Sequence, residues 1–213
     1  NAGGRVGKSD LGVRLLTTQD EDEARAIAQE LDRFNEARRA IEALVQDEAE
    51  RIAQHQGNRA MLLVSGDGWH PGVIGIVAGR LKEKFSRPAI VIATDEAGTG
   101  KGSGRSITGV DLGAAILAAK DSGLLLAGGG HAMAAGLTVE RTRIDALHDF
   151  LDERLAADIA AASAERHLPV DSLLSPRGLN PQLVHDMDAA GPYGVGWPSP
   201  RIATGPLRVV KAD

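Results

Sequence analysis

The chain has 213 residues, with 29 acidic against 24 basic side chains and a formal net charge of −5. That length carries one or two domains with a buried core, and the acidic balance excludes a protein that coats nucleic acid indiscriminately. It has no cysteine, which excludes a disulfide scaffold. No secretory leader opens it and no apolar run approaches the roughly 20 residues of a membrane span, so a cytoplasmic protein with no membrane partner is expected.

In chain order, Asp20 reads as a cap before a helix from about Glu21 to Gln54. Ile27, Leu31, Phe34, Ile41, Val45 and Ile52 recur at helical steps, with Arg38 and Glu48 interrupting the stripe. Neither Gly nor Pro breaks the run, which would span roughly 50 Å. A coiled coil and a helix bridging two domains both fit; the intermittent stripe and crowded charges favour the bridge.

Gly57-Asn58 ends that helix, and the period changes. Ala60–Ser65 reads as a buried strand, Val73–Phe85 as a helix started by Pro71, and Pro88–Thr94 as a second buried strand. Strand, helix, strand in this span predicts a βαβ unit with a parallel pair. A glycine-rich hairpin or loop over Gly98–Ser106, a helix over Asp111–Lys120 and a short strand over Leu124–Ala127 follow. A glycine turn over Gly128–Gly136, a strand over Leu137–Glu140 and a helix from Thr142 to about Ala162 complete the domain. That last helix sets Ile144, Leu147, Leu151 and Leu155 on one face.

The two glycine-rich stretches carry the chemistry. Each strips side chains from the backbone and leaves one or two polar groups, Arg105 in the first and His131 in the second. Glycine at that density lets main-chain N–H groups approach an anion, and a guanidinium fork matches phosphate oxygens. Lys101 does not complete a P-loop, because Asp95 stands where its first glycine belongs and Gly102 where its Ser or Thr belongs. The dinucleotide fingerprint fails on its third glycine. No His-Glu-x-x-His and no ligand-like pairing of the six histidines points to a metal. Between Gly57 and Leu137, Arg59, Arg80, Lys82, Lys84, Arg87, Lys101, Arg105 and Lys120 oppose only Asp67, Glu83, Asp95, Glu96, Asp111 and Asp121. A phosphate or nucleotide-end pocket is therefore expected, built from backbone amides, Arg105 and His131.

Gly102-Ser103-Gly104-Arg105-Ser106, Gly128-Gly129-Gly130-His131 and Ala134-Ala135-Gly136 resemble the DHHA1 domain of the DHH phosphoesterases. Trp69-His70-Pro71-Gly72 with Val73–Leu81 narrows the resemblance to the RecJ family of single-strand-specific 5′-to-3′ DNA exonucleases. Asn1-Ala2-Gly3-Gly4-Arg5 and Leu31–Arg39 are similar to segments that precede the domain in that family. The resemblance covers essentially the whole chain and is weaker after about Glu165. It implies an α/β fold, a DHHA1-type mixed sheet flanked by helices, preceded by a long connecting helix and followed by an incomplete OB-like segment. The implied division is the truncated end of a DHH domain at 1–20, the connecting helix at 21–56, DHHA1 at 57–165 and the start of the OB-like domain at 166–213. Both ends read as cut, and the Pro- and Gly-rich tail departs from the family pattern, with Tyr193 for a Phe and Trp197 for an Asn.

By the same resemblance, the intact enzyme acts in DNA repair and recombination and hydrolyses phosphodiesters with Mn2+ or Mg2+ held by a DHH domain outside this sequence. No catalytic residue and no metal ligand is then expected here. The expected partners are single-stranded DNA and a single-strand-binding protein or helicase. Arg105 is the first candidate for phosphate, with Ser103, Gly104, Ser106, Gly129 and Gly130 around it. His131 either contacts phosphate or is a hydrogen-bonded structural histidine, and His70 either meets an anion at a helix N-terminus or caps that helix. Arg5 is expected to face the catalytic cleft. Gly75 and Gly79 read as helix–sheet packing, and Lys82, Lys84 and Arg87 as a solvated helix face. Two other readings share the glycine–histidine signature: a DHH-family oligoribonuclease or cyclic-dinucleotide phosphodiesterase, and a non-catalytic nucleic-acid-binding DHHA1 module.

Overall fold

The computed structural model describes residues 3–164 and 168–208. Asn1 and Ala2 of the first motif, the expected boundary at Glu165 and the terminal Lys211–Asp213 lie outside them. The chain divides into two compact units between residues 165 and 166.

The first unit opens with helices α1 (Gly3–Val6) and α2 (Leu11–Thr17), then the uninterrupted 34-residue α3 (Glu21–Gln54). Asp20 caps α3 by accepting from the N–H groups of Asp22 and Glu23, and Glu21, Asp22 and Glu23 place negative charge where the helix dipole favours it. The first half of α3 carries the N-terminal segment, for a Cβ on Gly7 would strike the Phe34 ring and one on Gly3 would crowd Leu31. The second half buries Val45, Ala49 and Ala53 in a core with the following domain. The two interruptions of the apolar stripe are anchors. Arg38 and Arg80 both pair with the buried Glu42 carboxylate, and Glu48 accepts from the Trp69 indole at 2.8 Å.

The domain then runs β1 (Leu62–Asp67), α4 (Ile74–Phe85), β2 (Ala89–Thr94), β3 (Thr99–Arg105), α5 (Leu112–Asp121), β4 (Ala127–His131), β5 (Ala134–Glu140) and α6 (Ile144–Ala164). The sheet order is β1-β2-β3-β5-β4, with β1 and β2 parallel and every other pair antiparallel. The mixed α/β fold and the parallel βαβ unit are thus as read from sequence. Alternate residues sort the faces. Ala89, Val91 and Ala93 meet α3 and α4, while Ile90, Ile92, Leu137 and Val139 meet α5 and α6.

Both glycine-rich stretches are strands, which corrects their reading as hairpin loop and turn. The first turn lies before its run, where Asp95 N–H donates to Thr99 O and Gly98 takes φ +78°. Gly100, Gly102 and Gly104 then face the core as β3 crosses the middle of the sheet. A Cβ on each would come within 2.7 Å of Ile92, 2.7 Å of Leu137 and 2.6 Å of Leu112, respectively. Close packing of large neighbours, not loop chemistry, selects those glycines and overrides their low strand propensity. Gly128 and Gly130 are selected in the same way, by Ile116 and by the β5 backbone. The turn between β4 and β5 is only Ala132-Met133, and β5 starts at Ala134 rather than Leu137. No strand covers 124–126; β4 begins at Ala127.

The second unit pairs β6 (Ser172–Leu174) with β7 (Ile202–Thr204) in parallel and carries the helix α7 (Pro181–Ala189). The Asn180 side chain caps α7 and Pro181 occupies its first turn. Nothing more of a barrel is formed among the described residues.

Candidate functional site

On the α4 face, helices cover β1 to β3 and leave β5 and β4 bare. A cavity of about 580 Å³ opens at that step. Its wall is the loop and first turn of α4, including Pro71, Gly72 and Gly75; its side is Lys101, Ser103 and Arg105 of β3; its floor includes Gly129, Gly136 and Thr138. The strand register explains the grouping. Ser103 pairs with Gly136, which pairs with Gly129, so one row across the sheet runs from a hydroxyl onto two bare peptide units.

Arg105 donates from Nη1 to Ser103 Oγ at 3.1 Å and to Gly104 O at 2.8 Å. Its Nη2 faces Gly75, where a Cβ would stand 3.0 Å away. Arg5, on α1, donates to Gly72 O at 3.1 Å and so enters the cavity from the opposite wall. Gly72 has to be small, because its Cβ would lie 2.3 Å from Arg5 O. The lining therefore holds three cations, Arg5, Lys101 and Arg105, and no carboxylate. Guanidinium forks and a hydroxyl in an acid-free cavity suit a phosphate. The floor glycines differ from those of the core: a Cβ on Gly129 would touch nothing within 4 Å, and one on Gly136 only Gly102 O at 3.9 Å.

Of the residues expected at the site, Arg5, Ser103, Arg105 and Gly129 line this cavity. Five do not. Ser106 is buried with its hydroxyl donating to Val110 O at 2.7 Å, and Gly104 faces the core. Gly130 packs on β5, and His70 accepts the Gly72 N–H at 3.0 Å in the turn before α4. His131 is exposed at the end of β4. Its pairing with Ala134, itself paired with Arg105, sets it on the Arg105 face of the sheet, two strands and about 10 Å away. Lys101, Gly75, Gly136 and Thr138 also line it, although none of them was expected as a site residue. The signal for Lys101 was the alternation Gly-Lys-Gly-Ser-Gly-Arg, a period of two that marks a strand with one glycine face.

Two other basic side chains singled out from the sequence are engaged within the fold. Lys84 pairs with Glu50, and Arg87 donates to Gly57 O and Arg59 O. A separate polar cavity of about 270 Å³ lies beside Glu48, Asp67 and Arg141. There the Thr94 hydroxyl, and then the Arg141 guanidinium, hold the Asp67 carboxyl below its ordinary range. Among the described residues no group of three His, Cys, Asp or Glu is placed to hold a metal ion, and no helix is long and apolar enough to cross a membrane.

The DHHA1 domain family matches residues 56–157. The single-stranded-DNA-specific exonuclease RecJ of Escherichia coli K12 is 36% identical over 207 residues, covering 94% of this chain and 36% of that protein. RecJ of Bacillus subtilis 168 is 35% identical, covering 95% of this chain and 26% of its own length. The chain thus spans between about a quarter and just over a third of the length of these relatives. Among solved structures, RecJ of Thermus thermophilus in complex with Mg2+ superposes with a TM-score of 0.75 at 32% identity, covering 94% of this chain and 30% of that one. The same protein with Mn2+ gives 0.74 at 31% identity, covering 93% and 29%.

Proposed function

We propose, for a chain that belongs to the RecJ-type DHHA1 proteins, that it is the DNA-gripping part of a single-stranded-DNA exonuclease of DNA repair and recombination. The observation that carries this reading is the acid-free cavity with Arg5, Ser103 and Arg105 converging on it from two walls. In this reading Arg105 presents its fork to a terminal phosphate, the Ser103 hydroxyl both accepts from Arg105 and donates to a phosphate oxygen, and Arg5 closes the far side. Gly129 and Gly136 leave the floor low enough for the attached nucleotide to lie against peptide planes.

Hydrolysis is assigned to the part of the parent protein outside this chain. The RecJ structures hold Mg2+ or Mn2+, and the donors present among the described residues do not fit such an ion. The chain's own work is to bind and orient the strand so that its first phosphodiester is presented to a separate catalytic centre.

Binding of single-stranded oligonucleotides to the purified chain tests the reading. Arg105→Ala should weaken a 5′-phosphorylated oligonucleotide by about 1.5–3 kcal/mol, the range of a hydrogen bond to a charged group. A 5′-hydroxyl oligonucleotide should lose less. Equal losses would move Arg105 to an internal phosphate, and no loss for either would end the assignment. Release of mononucleotides by the purified chain with Mn2+, above a heat-inactivated control, would overturn the division of labour.

A further inference from the structure

Among the described residues, Lys101 is the one cation of the cavity that nothing in the fold occupies. Arg105 is tied to Ser103 and Gly104 O, and Arg5 to Gly72 O. The Lys101 side chain is exposed, and among the described residues no carboxylate lies within ion-pair distance of it. It also borders a second cavity, of about 250 Å³, walled by Trp69, Pro71 and Ala93 and ending at Asp95 and Thr99. Pro71 lines both spaces. The two cavities therefore adjoin along β3, with Lys101 between them.

The spacing along β3 matches the ligand already proposed. Arg105, Ser103 and Lys101 share one face at intervals of two residues, about 7 Å per interval. Successive phosphorus atoms of a nucleic-acid strand are separated by as many backbone bonds as the Cα atoms of residues two apart. The two extended chains thus repeat at about the same distance. Ser103 and Arg105 are bonded to each other and act on one phosphate, which leaves the next repeat opposite Lys101. Beyond it the Asp95 carboxylate, accepting the Thr99 N–H at 2.8 Å, presents the wrong sign for a third.

We propose that Lys101 holds the first internucleotide phosphate, so that β3 grips two successive phosphates of a single strand laid from Arg105 toward Thr99. The second cavity, with Trp69, Pro71 and Ala93 as its apolar wall, receives the following nucleoside. This rests on the reading of the main cavity as a phosphate site. It adds a specificity: the chain distinguishes an oligonucleotide from a mononucleotide by charge at a set distance.

Calorimetric titration of the chain with three ligands separates the two claims. The ligands are 5′-phosphorylated thymidine, the 5′-phosphorylated thymidine dinucleotide, and the same dinucleotide with an uncharged methylphosphonate linkage. Lys101→Gln is expected to weaken the charged dinucleotide about tenfold, the scale of one charge-assisted contact, and to leave the other two ligands within twofold. Lys101→Arg should restore most of the loss. With a longer oligonucleotide, Lys101→Gln should reduce the slope of log K against log salt by about 0.7, the increment for one single-strand phosphate. A loss equal for charged and methylphosphonate linkages, or no loss, overturns the role of Lys101 and leaves the main cavity untouched. If Arg105→Ala leaves all three ligands unchanged, the main-cavity reading itself fails, and this inference with it.

Discussion

Gly75 on α4 stands directly over Arg105 of β3, close enough that a Cβ on Gly75 would lie 3.0 Å from Arg105 Nη2 and 3.0 Å from Ser103 Oγ. Close approach of helix to sheet, the expected role, holds for this glycine but not for its neighbour one turn on, since a Cβ on Gly79 would meet nothing within 4 Å. Gly75 makes room for the two side chains proposed to hold phosphate. Gly75→Ala should hold or slightly raise the melting temperature, because alanine is the better helix former by up to about 1 kcal/mol. It should at the same time lower affinity for a 5′-phosphorylated oligonucleotide by roughly tenfold, about 1.4 kcal/mol. Unchanged affinity would show that Arg105 and Ser103 bind nothing in this pose.

Glycines of the core and of the cavity floor should separate in paired experiments. Gly102→Ala drives a methyl to within 2.7 Å of Leu137 and 3.2 Å of Ile92, an overpacking that costs about 1–3 kcal/mol in denaturant unfolding. Gly129→Ala meets no atom and should leave the unfolding midpoint in place while weakening oligonucleotide binding. A destabilised Gly129→Ala would mean that its floor position is a packing requirement after all.

Acid should loosen α6 from β1 through His148. The ring is buried and its Nε2 donates to Met61 O at 3.2 Å. Burial is the largest cause depressing its pKa, and the Arg59 charge acts in the same direction. The Met61 carbonyl, Asp152 and Asp149 oppose them. The folded value lies below the unfolded one, so the unfolded chain takes the proton first. Stability from this group is present above the unfolded pKa of roughly 6.5 and is lost progressively as pH falls from there through the folded value. Denaturation at pH 7.5 and pH 5.5 should show a larger acid-side loss for the native chain than for His148→Gln. Equal losses would exclude His148 as the source.

Glu42 should be the most sensitive charged position on α3. Its carboxylate is buried between Arg38, itself mostly covered, and Arg80, which is half exposed. Glu42→Ala strands the Arg38 charge, and the expected cost is about 2–3 kcal/mol, below the full value for a buried pair because Arg80 can turn to water. Glu42→Gln should recover part of that through its remaining hydrogen-bond acceptor. A loss under about 0.5 kcal/mol would show that the three groups do not lock α3 to α4.

Periodicity and caps in the sequence by themselves determined most of the fold. The 34 residues of α3 with Asp20 at their head, the apolar runs of β1 and β2 and the extent of α5 were legible because each depends on neighbours in the chain. The site was legible only in part. Ser103, Arg105 and Gly129 were marked by residue type and Arg5 by the family resemblance. Yet Ser106, His70 and Gly104 were marked as well, and their atoms are taken up by Val110 O, by the Gly72 N–H and by a core with no room for a Cβ. Local sequence cannot tell a glycine that frees a loop from one flattened beneath Leu137 or Leu112. Which of the two it is depends on strands and helices tens of residues away. Only the tertiary structure decided that the glycine-rich runs are strands, and that one face of them is packing and the other a cavity. The reason is steric: in a sheet, the residue opposite decides what a missing side chain is for.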